Sequence, residues 1–183
     1  FMYEYLIKNG YVVDGTGAPW FKADVAIGDG KIAEIGRGLP ASKADTVLDA
    51  KGLVVSPGFI DMHSHADWTL ALADHEAQMK ITLEQGVTSV VAGNCGFSPA
   101  PVAADGLDPA KASLVTMLVE EPLDFSWRTM AEFLDRVDGN RPVLNMAELV
   151  GHASLRSAAS ARPRGAMLPE ELNRCLEQAR RSL

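Results

Sequence analysis

Cysteine is scarce in this chain, with only Cys95 and Cys175; that excludes a disulfide framework and leads to the expectation of a reducing, cytoplasmic location. No apolar run approaches the roughly 20 residues that cross a bilayer, and the N-terminus lacks the basic-then-apolar pattern of a secretory signal. Positive charge is sparse as well. Lys and Arg number 17 against 24 Asp and Glu, a formal net charge of −7, and basic residues adjoin only at Arg180-Arg181 and Arg162-Pro-Arg164. Neither nucleic acid nor an anionic membrane surface is therefore an expected partner. Gly15-Thr-Gly17 and Gly28-Asp-Gly30 precede no helix and complete no phosphate-binding pattern, which leaves them as turns.

What is present centres on Pro57-Gly-Phe-Ile-Asp-Met-His-Ser-His65. The run reads as a strand, whose two-residue period turns Phe59, Asp61, His63 and His65 to one face and lets both imidazoles converge on one metal ion. Neutral imidazole is a preferred zinc ligand, and Asp61 is a candidate acceptor for a ligand's second ring N–H. A chance His-x-His is also common, so the spacing alone is a weak signal.

Residues 2–55 read as short strands. Tyr3 to Gly10 ends in an Asn9-Gly10 turn signal with Tyr11-Val-Val as hairpin partner, followed by Asp24-Val-Ala-Ile, Lys31-Ile-Ala-Glu-Ile, Thr46-Val-Leu-Asp and Leu53-Val-Val. From residue 56 strands and helices alternate. Asp74 caps a predicted helix carrying Ala77, Ile81 and Leu83, with His75 facing solvent and Gly86 as the stop. Val87-Thr-Ser-Val-Val-Ala is a buried parallel strand that delivers Gly93-Asn-Cys-Gly-Phe-Ser98 to its C-terminal end. Cys95 then sits beside the two histidines, where a thiolate flanked by glycines can approach an ion, although a lone cysteine also suits plain burial. Cys175, in an amphipathic helix, is expected to be a small buried hydrophobe. Pro99 to Pro122 is a long excursion, and Trp68, Phe125 and Trp127 either line a pocket or simply pack. The third strand, Pro142 to Val150, ends in Gly151-His152, which makes His152 a candidate substrate-binding residue.

The Pro57–His65 run resembles the amidohydrolase superfamily signature Pro-Gly-Phe-Ile-Asp-x-His-x-His, matching it at every fixed position. Asp14-Gly-Thr-Gly-Ala-Pro and Gly93-Asn-Cys-Gly look like the N-acyl-D-amino-acid deacylase branch. That resemblance implies an α/β fold: a (β/α)8 TIM-type barrel over residues 56–183, with only its first strands and helices present, preceded by a small antiparallel β-sandwich-like domain over residues 2–55. A complete barrel of this type needs about 250 residues, so the chain is expected to be an N-terminal portion, starting natively at Met2 and inactive alone. The resemblance further implies one or two zinc ions, with His63, His65 and Cys95 as metal ligands and an acid/base aspartate beyond residue 183. The expected reaction is hydrolysis of small-molecule N-acyl-D-amino acids to a carboxylate and a D-amino acid. A cyclic-amide hydrolase of the dihydroorotase or hydantoinase type, or a non-catalytic assembly relative, are the alternatives.

Overall fold

The computed structural model describes residues 2–103, 123–160 and 165–183; most of the Pro99–Pro122 excursion and Arg162-Pro-Arg164 lie outside them. By compactness the chain divides into two units, with the boundary between Pro57 and Gly58.

The described part of the first unit is one five-stranded sheet. β1 (Tyr3–Val12), β2 (Phe21–Gly28), β3 (Lys31–Gly36) and β4 (Ala44–Asp49) lie in the order β3-β2-β1-β4, and the short β5 (Val54–Val55) also pairs with β1. The expected antiparallel sandwich-like arrangement is corrected here. β1, β2 and β3 are antiparallel, whereas β4 and β5 run parallel to β1. The reason is the path after β3: the chain does not turn back on itself there but crosses to the far edge of β1, which sets β4 in the same direction as β1.

The expected hairpin at Asn9-Gly10 is corrected as well. β1 runs straight through it as a bulge, with the register against β2 shifting between Ile7 and Gly10. Asn9 takes the left-handed conformation, φ 64°, which asparagine tolerates, and its backbone N–H donates to Asp24 Oδ1 at 2.8 Å. Since β2 pairs on both sides of the bulge, a continuous ladder wins over turn propensity. Buried Asp24 also accepts from Lys8 Nζ at 3.1 Å and from the Leu39 N–H at 3.0 Å. Burial pushes its pKa up, but these three donors outweigh that and hold it below the ordinary carboxylate value.

The second unit is built on three parallel strands, β6 (Phe59–Asp61), β7 (Val87–Ala92) and β8 (Asn145–Glu148), adjacent in chain order. Helices α1 (Ala66–Leu70) and α2 (His75–Glu84) link β6 to β7, α3 (Met130–Gly139) precedes β8, and α4 (His152–Ala159) and α5 (Pro169–Arg181) follow it. This is the βαβ pattern that the alternation of signals predicts. Thr129 and Glu132 start α3 with a reciprocal capping box, and Met130, Phe133 and Val137 at helical spacing turn its apolar face inward. They join Trp68, Leu70, Val90, Trp127 and Leu144 in the principal core.

Trp68 and Trp127 are thus packing residues rather than pocket lining. Trp127 Nε1 donates to Pro99 O at 3.1 Å, and Phe125 lies between the two indoles. Cys175 is buried as expected. His75 is not solvent-facing: it is 1 % exposed, and its Nδ1–H donates to Leu72 O in the turn that follows α1, at 2.9 Å. Asp74 occupies the N-cap position without a side-chain capping bond. Ala77, Ile81 and Leu83 are exposed, and Gly86, φ 81°, follows the helix end.

Candidate metal centre

β6 stops at Asp61, so the histidines do not owe their convergence to strand alternation, as the spacing suggests. They stand on the loop that follows, with His65 as the residue preceding α1. Hydrogen bonds replace the pleat. Asp61 Oδ1 accepts the backbone N–H of His63 at 3.0 Å, not a ring N–H. The Ser64 N–H donates to Val91 O at 3.0 Å, and Ser64 Oγ accepts the Ala66 N–H at 3.1 Å.

The second loop leaves β7 through Gly93, and its conformation demands glycine. Its φ is 74°, and a Cβ built there lies 1.9 Å from Leu149 O. Cys95 is itself left-handed, φ 57°, which aims its thiol across to the histidine loop. The result is a contact of 3.2 Å between Cys95 Sγ and His63 Nε2. One nitrogen of each histidine and the sulfur all lie within 4.8 Å of one another. Tetrahedral zinc, with bonds of about 2.0–2.1 Å to nitrogen and 2.3 Å to sulfur, sets its ligands roughly 3.3–3.8 Å apart. Two imidazoles and a thiol at this spacing fit such an ion, with His63 and Cys95 exposed and His65 half-buried.

The third strand end brings His152 to the same loop. Gly151 packs against the cysteine loop so closely that a Cβ on it lies 2.4 Å from Gly96 O. Its N–H donates to Ser98 Oγ at 3.0 Å. Ser98 and Ser154 then exchange two bonds: the Ser98 N–H donates to Ser154 Oγ at 2.9 Å, and that hydroxyl donates to Ser98 O at 2.8 Å. His152 is the first residue of α4 and exposed, beside the ligand loop.

A carboxyl pair that no sequence motif announces, Asp67 and Glu148, lies beneath these loops. Asp67 is fully buried, and with both groups ionised no oxygen of either side chain has a donor of good geometry. The Trp68 and Gly93 N–H groups face Asp67 more loosely. Burial drives both groups up, Asp67 to about 7 and Glu148 to about 9, the latter pushed further by the Asp67 charge. The pair holds a proton at neutral pH, and Glu148, protonated, becomes the donor to Asp67. A glutamate inside the parallel strand Asn145-Met-Ala-Glu148 is the available signal, since a carboxylate turned inward from a strand needs a partner.

The amidohydrolase family model matches residues 46–178. N-acyl-D-glutamate deacylase of Alcaligenes xylosoxydans xylosoxydans is 41 % identical over 160 residues, covering 87 % of this chain and 31 % of that protein. D-aminoacylase of the same organism is 36 % identical, covering 93 % and 33 %. Among solved structures, N-acyl-D-glutamate deacylase from Bordetella bronchiseptica, complexed with zinc and a phosphonate inhibitor, superposes over 100 % of this chain and 36 % of its own, with TM-score 0.86 and 37 % identity. A D-aminoacylase structure covers 98 % of this chain and 36 % of its own, with TM-score 0.83 and 35 % identity. The chain spans about a third of the length of these relatives.

Proposed function

The chain belongs to the amidohydrolase family, and from that premise we propose that it supplies part of the metal centre of a zinc-dependent enzyme cleaving the amide bond of N-acyl-D-amino acids. The observation that carries this reading is the convergence of His63, His65 and Cys95 within 4.8 Å, on a fold superposable on deacylases. His63, His65 and Cys95 hold the ion, and a thiolate beside two neutral imidazoles reduces its net charge. When bound, zinc supplies Lewis acidity, polarising an amide carbonyl and acidifying a water molecule. The contact of Cys95 Sγ with His63 Nε2 sets thiol and imidazole side by side, as two ligands of one ion stand. His152, exposed at the N-terminus of α4 beside the cysteine loop, has the position to bind substrate.

The substrate class rests on the deacylases this chain is similar to, which act on N-acyl-D-glutamate and N-acyl-D-aspartate by name. The test compares metal content of wild type and Cys95→Ala in the full-length protein, with N-acetyl-D- and N-acetyl-L-amino acids assayed side by side. The expected result is bound zinc that falls at least tenfold in affinity in the variant, and turnover of the D series alone. Zinc fully retained without Cys95, or turnover of cyclic amides in place of linear ones, overturns the reading.

A further inference from the structure

We infer that Asn94 is a positioning residue for the metal centre, the tie that holds the cysteine loop and the histidine loop at ligand distance. This rests on the metal-centre reading above and adds to it the group that sets the geometry. Asn94 Nδ2 donates to Val91 O at 2.7 Å and to Ser64 O at 3.2 Å. Both acceptors are carbonyls, so the amide orientation is fixed by chemistry: only the NH2 end, with its two hydrogens, satisfies both.

The placement of these acceptors gives the tie its reach. Ser64 stands between His63 and His65, and Asn94 immediately precedes Cys95. Val91 O closes the loop of contacts by also accepting the Ser64 N–H at 3.0 Å, so both its lone pairs are used. Asn94 thus spans the two ligand-bearing loops through one amide, 30 residues apart in the chain. Cys95 sits beside it in a left-handed conformation, φ 57°, that a β-branched or bulky residue rarely adopts, so the loop needs an external hold to keep the thiol on target. Asp61, Ser98 and Ser154 brace each loop separately, whereas Asn94 joins one to the other.

The experiment titrates metal-stripped protein with cobalt(II), reading the thiolate-to-cobalt charge-transfer band, and with zinc in competition against a chelating dye. The variants are Asn94→Ala and Asn94→Asp, the latter the same size but pointing a carboxylate at two carbonyl oxygens. The control is Asn145→Ala, which removes an equivalent amide-to-carbonyl bond, Nδ2 to Thr88 O at 3.0 Å, at the start of β8. Metal affinity is expected to fall about 10–100-fold in Asn94→Ala, at least as far in Asn94→Asp, and by less than about threefold in Asn145→Ala. The charge-transfer band should weaken relative to the wild type even at saturating cobalt.

Circular dichroism and the fluorescence of buried Trp68 and Trp127 verify folding; if the alanine variant does not fold, Asn94→Ser carries the same comparison. Wild type without a charge-transfer band overturns the metal centre itself. A wild-type band that both Asn94 variants keep at full intensity and affinity overturns the positioning role alone, as does an equal loss in Asn145→Ala.

Discussion

Glu148→Gln tests the buried carboxyl pair through the pH dependence of folding. Unfolded, a glutamate releases its proton near pH 4.3; in the fold Glu148 keeps it up to about pH 9. Between those values the folded state binds one more proton than the unfolded state. Stability therefore falls as pH rises, by up to about 1.4 kcal/mol per unit. From pH 7 to pH 9 the loss comes to roughly 2 kcal/mol, because the site is half empty at the upper end. The glutamine amide has no proton to release and donates to Asp67 in the carboxylic acid's place, which leaves a change below about 0.5 kcal/mol over the same range. Urea unfolding at pH 7, 8 and 9, followed by fluorescence with Trp68 and Trp127 buried in the same unit, measures the slope. A chelator in every sample removes the separate pH dependence of metal binding. Equal slopes for wild type and Glu148→Gln would refute the reasoning.

Gly93→Ala places a methyl 1.9 Å from Leu149 O on a residue at φ 74°, so β7 and β8 must part at their ends; a loss of about 3 kcal/mol or more is expected in urea unfolding. A change below about 1 kcal/mol would contradict the geometry. Asp24→Asn removes the charge that collects Lys8, Asn9 and Leu39, and a cost of about 2–3 kcal/mol at pH 7 is expected. Because the folded pKa of Asp24 is lowered, its contribution is present above the unfolded value near 3.9 and lost as pH falls below it. Amide exchange of β1 should thus become acid-sensitive in wild type and stay flat in Asp24→Asn.

The histidine pair and Cys95 were legible because ligand chemistry restricts residue type and spacing, whatever backbone carries them. The backbone that carries them follows from longer-range contacts. The His-x-His spacing predicts strand alternation through His65, but β6 ends at Asp61, and hydrogen bonds position the loop that carries both rings. The β7 strand declares itself in its β-branched local composition, which is why the sequence alone finds it. Asp67 and Glu148 are far apart in the chain, and only packing shows that they share one buried site. The same holds for Asn94, whose partner carbonyls carry no sequence signature. Asn9-Gly10 failed as a turn because pairing with β2, decided by tertiary structure, outweighed a local preference.

The central place of β1 has a consequence for how the first unit is made. Its β2 edge is satisfied early, but β4 and β5, which cover the other edge, end as late as Val55, roughly 40 residues after β1 is complete. At ribosomal speeds of about 5–20 residues per second, that edge waits roughly 2–8 seconds for its neighbours. During synthesis β1 is thus complete well before both of its edges are covered, and until β4 and β5 arrive its open edge is a template that a neighbouring nascent chain can pair with.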